Sequence, residues 1–135
     1  DALRNALSRK PYLVKPNLQE LQDFFEISMD TKENILYAAG QMQEMGARNV
    51  LVSMAAQGAV LLDETGQAYW SAAPQGEVIN SVGAGDSMVA GFLAAVTEGK
   101  NAEFALRMGI AAGSATAFQT GLAEKEKILE LLMEM

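Results

Sequence analysis

A short turn with two glycines and one acid, Gly83-Ala84-Gly85-Asp86, is the part of this chain whose residue types could do chemistry. It lies between a strand-like run, Glu77 to Val82, and a stretch that reads as helix from Asp86 to Gly99. Two glycines leave the backbone free to curl, so successive N–H groups can point into one concavity, to which the positive end of the helix dipole adds. Such a concavity attracts anions, and the aspartate beside it could take a proton from a hydroxyl group while the backbone holds a phosphoryl group.

The distribution of basic residues limits what could hold a phosphate at this turn. There is no Lys or Arg between Arg48 and Lys100, so a phosphate bound at the turn would need backbone dipoles or a metal ion. The alternative is a turn that only joins strand to helix, with Asp86 stabilising the helix dipole. The four residues alone leave both interpretations open, because short glycine motifs match by chance.

A longer segment, Asn80 to Leu93, resembles the C-terminal signature of the PfkB (ribokinase-like) carbohydrate kinases. The resemblance implies an anion hole for the transferred phosphoryl group, formed by Gly83, Ala84 and Gly85, and a catalytic base, Asp86. The pair Asn80-Ser81 departs from the commoner Asp-Thr opening. Because this variation lies outside the catalytic turn, it bears on the subgroup more than on membership.

The segment Lys15-Pro16-Asn17-Leu18-Gln19-Glu20 has two compatible interpretations. Asn17 and Glu20 have the spacing of a capping box at a helix N-terminus. They also resemble the Asn-x-x-Glu motif of the same family, which implies that Asn17 and Glu20 act on Mg²⁺ through water and that Lys15 reaches a nucleotide phosphate.

The segment Ser53-Met54-Ala55-Ala56-Gln57-Gly58 resembles the family's nucleotide-binding loop, Ser-x-Gly-x-x-Gly. Ala55 stands where glycine is usual. If that position needs a positive φ, alanine costs on the order of 1 kcal/mol, which would weaken nucleotide binding. The alternative is a plain turn between strands, with Gly58 supplying the bend. By the same resemblance, Gly85 contacts the nucleotide and Ala111 to Ala115 line its adenine side.

Apolar periodicity predicts helices that alternate with short strands. The predicted helices are Asp1 to Ser8, one opened by Asn17, one through Met45 with Thr31 as its N-cap, Asp86 to Gly99, Ala102 to Phe118 with Asn101 as its cap, and Glu124 to Met133. Helical spacing predicts that Leu36, Met45 and Leu93 face inward, and the Ala, Gly and Ser content of Ala102 to Phe118 predicts close packing against a neighbour. The predicted strands are a short one that contains Leu13 and Val14 and ends at Lys15, then Asn49 to Met54, Ala59 to Leu62, Ala68 to Ser71 and Glu77 to Val82. This alternation indicates a three-layer α/β fold, a mainly parallel sheet with helices on both faces. Ligands of such sheets gather where strands end, so Asn17, Ser53 to Gly58 and the Gly83 turn could converge on one rim.

Length and composition fit one globular domain, since the chain has 135 residues and half of them are apolar. It begins at Asp1 within a predicted helix, and the resemblance covers only about the C-terminal half of a family member. We therefore expect residues 1–135 to be the C-terminal part of a single ribokinase-like domain, carrying the ATP site and the base, without its N-terminal half and lid.

Composition also bounds the partners and the chemistry. The net charge of −7 argues against nucleic acid. No apolar run approaches the roughly 18 residues of a membrane span, and we expect no membrane partner and a cytoplasmic location. Cysteine and histidine are both absent, which leaves carboxylates, Lys, Tyr and hydroxyl groups for any chemistry.

The resemblance implies transfer of a phosphoryl group from ATP, with Mg²⁺, to a hydroxyl of a sugar phosphate. Lys15-Pro16-Asn17 together with Gly83 to Gly91 is most similar to members that convert fructose 1-phosphate to fructose 1,6-bisphosphate. Three alternatives stay open: a tagatose 6-phosphate kinase, another sugar or nucleoside kinase of this family, and a nucleotide-binding fragment without catalysis. The expected partners are ATP and a sugar phosphate, with a homodimeric parent protein.

Overall fold

The computed structural model describes residues 2–119 and 123–135. The helices are α1 (Ala2–Ser8), α2 (Leu18–Phe25), α3 (Lys32–Glu44), α4 (Ala84–Thr97), α5 (Ala102–Ala117) and α6 (Lys125–Glu134). The strands are β1 (Leu13–Val14), β2 (Asn49–Ser53), β3 (Ala59–Leu62) and β4 (Ala68–Ser71), with a 3₁₀ turn at Ala55–Gln57. Asp1, the predicted first residue of α1, lies outside the described residues. No described helix is long and apolar enough to cross a bilayer.

The chain forms two compact units. The N-terminal unit consists of Asp1–Met54 and Val60–Tyr69, and the C-terminal unit consists of Ala55–Ala59 and Trp70–Met135.

The four strands form one sheet in the order β1-β2-β3-β4. Strands β1 and β2 are parallel, with Leu13 opposite Asn49 and Val14 opposite Val50, and two helices make the crossover between them. Strands β3 and β4 are joined by a hairpin loop in which the Asp63 carboxylate accepts hydrogen bonds from the N–H groups of Thr65 and Gln67. The sheet is therefore mixed.

Apolar burial explains the two central strands of the N-terminal unit. All four positions of β3 are buried, as are the first four of β2, which suits strands covered on both faces. Helix α3 begins after Thr31, whose side chain accepts a hydrogen bond from the Asn34 N–H, as predicted. Its buried residues are Ile35, Ala38, Ala39 and Met42, whereas Leu36 and Met45, which the spacing predicts to face inward, are only half-buried.

In the C-terminal unit, small residues bring α4 and α5 close together. A Cβ added at Gly91 would lie 2.9 Å from the Cβ of Ala112, and one added at Gly109 would lie 2.9 Å from the carbonyl oxygen of Met88. Helix α6 packs on the other side, in a buried cluster of Ala111, Ala115, Leu131 and Leu132. The prediction that α5 packs closely through its small residues is confirmed.

Two expectations about the segment before and within α4 are wrong. Residues 77–82 form no strand, and Val78, Ile79 and Val82 are 62%, 58% and 78% exposed. A strand needs a neighbouring strand for its backbone groups, but the N–H of Ile79 donates instead to the carbonyl of Ala117 at the end of α5. Leu93, predicted to face inward, is 38% exposed, because α4 meets α5 through the face that carries Met88, Gly91 and Phe92.

Candidate active site

The glycine turn leads directly into α4. Gly83 is the N-cap residue, with a left-handed φ of 83° that glycine adopts without strain, and the helix begins at Ala84. The sequence places the helix start at Asp86, but Asp86 is the third helical residue. The helix ends at Thr97, and Gly99 follows with a φ of 82°.

The first turn of α4 offers backbone donors. The Ala84 N–H donates to the Ser81 carbonyl at 3.2 Å, and the Ser87 N–H donates to the Gly83 carbonyl at 2.9 Å. Helix geometry leaves the amides between them, those of residues 85 and 86, without an intrahelical acceptor. The loop is therefore curled, and it presents two adjacent N–H groups at the positive end of the helix dipole.

Asp86 is exposed, and its carboxylate is not turned into the core. An acid in the first turn stabilises the helix dipole, and an exposed carboxylate beside free amides can also accept a proton from a bound hydroxyl group. The geometry is compatible with both interpretations, and the catalytic role stays a prediction.

The residues before the turn are held in place by two kinds of hydrogen bond. The Asn80 Oδ1 accepts from the Val82 N–H at 3.0 Å, an Asx-type contact that aspartate would also make. The N–H groups of Ile79 and Asn80 donate to the Ala117 carbonyl at 2.8 and 3.1 Å. Asparagine at position 80 therefore preserves the local turn.

A second group of candidate residues lies at the start of α2. The Asn17 Oδ1 accepts from the Glu20 N–H at 2.7 Å, and the Glu20 Oε1 accepts from the Asn17 N–H at 2.9 Å. The predicted capping box is confirmed, and both side chains remain exposed. A role in magnesium handling would use the oxygen of Glu20 that the cap leaves free, and it stays a prediction.

The end of β1 lies beside the end of β2. Asn17 forms an isolated parallel bridge with Ser53, and the Ser53 N–H donates to the Pro16 carbonyl at 3.0 Å. The structure therefore brings Lys15, Asn17 and Ser53 to one edge of the N-terminal unit, as expected where neighbouring parallel strands end. Convergence of this edge with the Gly83 turn stays a prediction.

The loop after β2 contains an alanine in a left-handed conformation. Ala55 has a φ of 51°, so the position does require the conformation that glycine adopts more readily. Gly58 closes the 3₁₀ turn by donating its N–H to the Ala55 carbonyl at 3.0 Å. A Cβ at Gly58 would overlap the Ser71 carbonyl oxygen, so only glycine at this position lets the end of β4 pack against the loop. Of the other loop residues, Met54 is half-buried and the side chains of Ala56 and Gln57 are exposed.

The donor set fits a magnesium ion that phosphate and water coordinate for the most part. The described residues contain no group of three or more acidic side chains able to enclose a metal. Mg²⁺ usually keeps several waters and binds through one or two carboxylates plus substrate phosphates. Glu20 could contribute through water. The stretch Ala111 to Ala115, expected to line adenine, is mostly buried in helix packing.

Sequence reasoning missed two hydroxyl groups next to the turn. The Ser87 Oγ lies 2.8 Å from the Thr116 Oγ1, and Thr116 is 1% exposed. A threonine among small residues of a helix gives no signal of such a contact, because the partner lies 29 positions away in sequence.

The family model described as pfkB family carbohydrate kinase matches residues 1–128. The 1-phosphofructokinase of Bacillus subtilis is 43% identical over 100% of this chain and 44% of its own length. The D-tagatose-1-phosphate kinase of Bacillus licheniformis is 39% identical over 93% of this chain and 41% of its own length. The chain therefore spans less than half the length of these curated relatives.

Solved structures show the same fold. The crystal structure of a putative phosphofructokinase from Staphylococcus aureus superposes with a TM-score of 0.91 at 32% identity, over 96% of this chain and 42% of that one. Arabidopsis thaliana ribokinase, complexed with ribose and ATP, superposes with a TM-score of 0.84 at 28% identity, over 96% and 43%. The expected ribokinase-like α/β fold is confirmed.

Proposed function

Because this chain belongs to the pfkB family of carbohydrate kinases, we propose that it carries the phosphoryl-transfer part of an ATP-dependent sugar-phosphate kinase. The observation that supports this most is the first turn of α4, where the exposed Asp86 carboxylate adjoins amides without intrahelical acceptors. A base and an anion site therefore share one turn of backbone.

In the proposed reaction, the hydroxyl oxygen of the sugar phosphate bonds to the γ-phosphorus of ATP, and the Asp86 carboxylate takes the proton of that hydroxyl group. The bond between that phosphorus and the β,γ-bridging oxygen breaks, and ADP leaves with the electron pair. The backbone of Gly83, Ala84 and Gly85 encloses the equatorial phosphoryl oxygens, and the amides of residues 85 and 86, which have no intrahelical acceptor, stabilise their charge without reorganisation. Because the transition state is loose, the proton can leave late and positioning supplies most of the rate.

The edge formed by Lys15, Asn17 and Ser53 is proposed to hold the nucleotide phosphates, together with the loop from Met54 to Gly58. Lys15 supplies a positive charge, while the loop supplies backbone groups. Asn17 and Glu20 would hold Mg²⁺ through bridging water molecules, and the ion would neutralise charge on the phosphates.

For the acceptor we propose fructose 1-phosphate, which becomes fructose 1,6-bisphosphate. Relatives named 1-phosphofructokinase support this choice, among them the Bacillus subtilis enzyme at 43% identity. The relative named for tagatose 1-phosphate, at 39% identity, favours a ketose phosphate as the acceptor class without separating the two sugars. Tagatose 6-phosphate and nucleosides stay as alternatives.

A panel assay tests the proposal. The full-length protein is given ATP·Mg²⁺ and, separately, fructose 1-phosphate, tagatose 1-phosphate, tagatose 6-phosphate, fructose 6-phosphate or ribose, and ADP release is followed. We expect the highest kcat/KM with fructose 1-phosphate. Higher kcat/KM with ribose would contradict the sugar-phosphate assignment, and no turnover with any acceptor would contradict the kinase itself.

A second candidate concerns the 135 residues by themselves, because the chain spans only 44% of the Bacillus subtilis relative. Such a piece could bind ATP·Mg²⁺ without catalysis. Calorimetry on the isolated chain, compared with turnover of the full-length protein, separates binding from catalysis. A homodimeric parent and a cytoplasmic location remain predictions. One solved structure of phosphofructokinase-2 from Escherichia coli is of its tetrameric inhibited form.

A further inference from the structure

The C-terminal end of α5 holds the glycine turn from both sides. Before the turn, the Ala117 carbonyl accepts hydrogen bonds from the N–H groups of Ile79 and Asn80 at 2.8 and 3.1 Å. After the turn, the Thr116 Oγ1 and the Ser87 Oγ are 2.8 Å apart. Adjacent residues of one helix therefore fix both flanks of the turn.

The Thr116 hydroxyl group is unusual for its surroundings. Among the described residues only Asn49 and Thr116 are polar and buried, and every other buried position of α5 carries an apolar residue or glycine. Burying a hydroxyl group costs free energy unless hydrogen bonds compensate. Thr116 makes two such bonds, since its Oγ1 also accepts from the Ala123 N–H at 3.3 Å. Valine has nearly the same shape and would avoid that cost, so packing alone does not account for threonine here.

Close packing of α5 against the start of α4 fixes the position of this contact. A Cβ added at Gly113 would lie 3.0 Å from the Ala84 carbonyl oxygen, so the backbone of α5 passes against the first residue of α4. Ser87 follows Asp86 directly, and a bond that fixes Ser87 limits rotation and fraying of the helical turn that carries the carboxylate. The turn is therefore held by contact at its start and by a hydrogen bond at its end.

We propose that Thr116 is a positioning residue for phosphoryl transfer, acting through Ser87 on the first turn of α4. It touches neither substrate, and it keeps the Asp86 carboxylate and the neighbouring free amides in a fixed mutual orientation. The inference rests on the proposed kinase function, and it gives α5 the role of positioning the first turn of α4. A small misplacement of groups in the reacting turn lowers turnover far more than it lowers binding of ATP.

The test compares Thr116→Val, which removes the hydroxyl group, with Thr116→Ser, which keeps it, in the full-length protein. We expect Thr116→Val to lower kcat about 10-fold or more with the KM for ATP within about 2-fold, and Thr116→Ser to retain kcat within about 3-fold of wild type. Ser87→Ala should lower kcat to a similar extent, and the double variant Ser87→Ala/Thr116→Val should be no worse than either alone. Thr97→Val, at the exposed end of α4, is the matched control and should not change kcat.

Three results of the turnover assays would overturn the proposal: wild-type kcat in folded Thr116→Val, equal losses in the valine and serine variants, or additive losses from positions 87 and 116. If Thr116→Val does not fold, Ser87→Ala and Thr116→Ser decide by the same criteria. Exchange of the hydrogen-bonded amides of residues 84, 87 and 88 gives a readout independent of turnover. Exchange should be faster in Thr116→Val and in Ser87→Ala but not in Thr116→Ser, even if the wild-type protein phosphorylates no sugar phosphate. Equal exchange in all variants would contradict positioning, whereas an inactive wild type with the expected exchange would contradict only the kinase function.

Discussion

The side chains of Asn17 and Glu20 each accept a hydrogen bond from the other residue's backbone N–H, at 2.7 and 2.9 Å. This reciprocal cap requires an acceptor oxygen at position 20 but no negative charge. The proposed role in magnesium handling requires the charge. The two roles can therefore be separated by substitution.

Glu20→Gln should keep the cap and weaken the magnesium response. Glutamine can make the same capping-box hydrogen bond, so the free energy of unfolding should stay within about 0.5 kcal/mol of wild type. Loss of the carboxylate should raise the Mg²⁺ concentration that gives half-maximal turnover several-fold. Urea denaturation and a Mg²⁺ titration of the full-length protein measure the two effects.

Glu20→Ala provides the comparison for this prediction. It removes both the cap and the charge, so it should lose on the order of 1 kcal/mol of stability in addition to the shifted Mg²⁺ response. An unchanged Mg²⁺ response in Glu20→Gln would limit Glu20 to its capping role.

Ala55→Gly should relieve strain. Ala55 has a φ of 51°, where alanine costs about 1 kcal/mol more than glycine, although glycine loses more entropy on folding. We expect unchanged or higher stability in urea denaturation, by up to about 1 kcal/mol, and tighter ATP binding by calorimetry. Ala56→Gly is the matched control, because Ala56 is also exposed but is not among the positive-φ residues of the described chain. It should lose about 0.5–1 kcal/mol. A loss of stability in Ala55→Gly equal to or greater than that in Ala56→Gly would contradict strain at this position.

Gly109→Ala should separate α4 from α5. The added methyl group would lie 2.9 Å from the Met88 carbonyl oxygen, a rigid backbone atom, so we expect a loss of about 1–3 kcal/mol. Gly40→Ala is the control, because Gly40 lies within α3 and has no atom within 4 Å of the added Cβ. It should gain about 0.5–1 kcal/mol from helix propensity. Thermal and urea unfolding of both variants provide the comparison, and a tolerated Gly109→Ala would show that the helices do not pack as closely as described.

Local signals predicted much of the fold. Strands β3 and β4 have the bounds that apolar runs and the Asp63 to Gly66 turn indicate, because a hairpin is specified by neighbouring residues. Asn17, Thr31 and Asn101 cap α2, α3 and α5, since capping depends on a side chain and an amide three residues away.

The errors arise where the outcome depends on distant contacts. Residues 77–82 have the composition of a strand, yet their backbone groups meet the end of α5 rather than another strand, and composition cannot show which partner is present. Leu93 has helical spacing for burial, but the inner face of α4 is set by where small residues of α5 allow approach. The contact between Ser87 and Thr116 could not be predicted from the sequence for the same reason, because it depends on how α4 packs on α5.

Substitution of Asp86 tests the central claim. In the full-length protein, Asp86→Asn keeps the side-chain shape and removes the proton acceptor, so turnover should fall by about 10²–10⁴-fold while ATP binding changes little. Glu98→Gln removes an exposed carboxylate at the other end of α4 and serves as the control, with turnover unchanged. Steady-state turnover with fructose 1-phosphate, combined with calorimetry of ATP binding, gives the decisive comparison. A large loss of turnover with retained ATP binding is the result we predict, and near-wild-type turnover in Asp86→Asn would contradict the assignment of this carboxylate as the base.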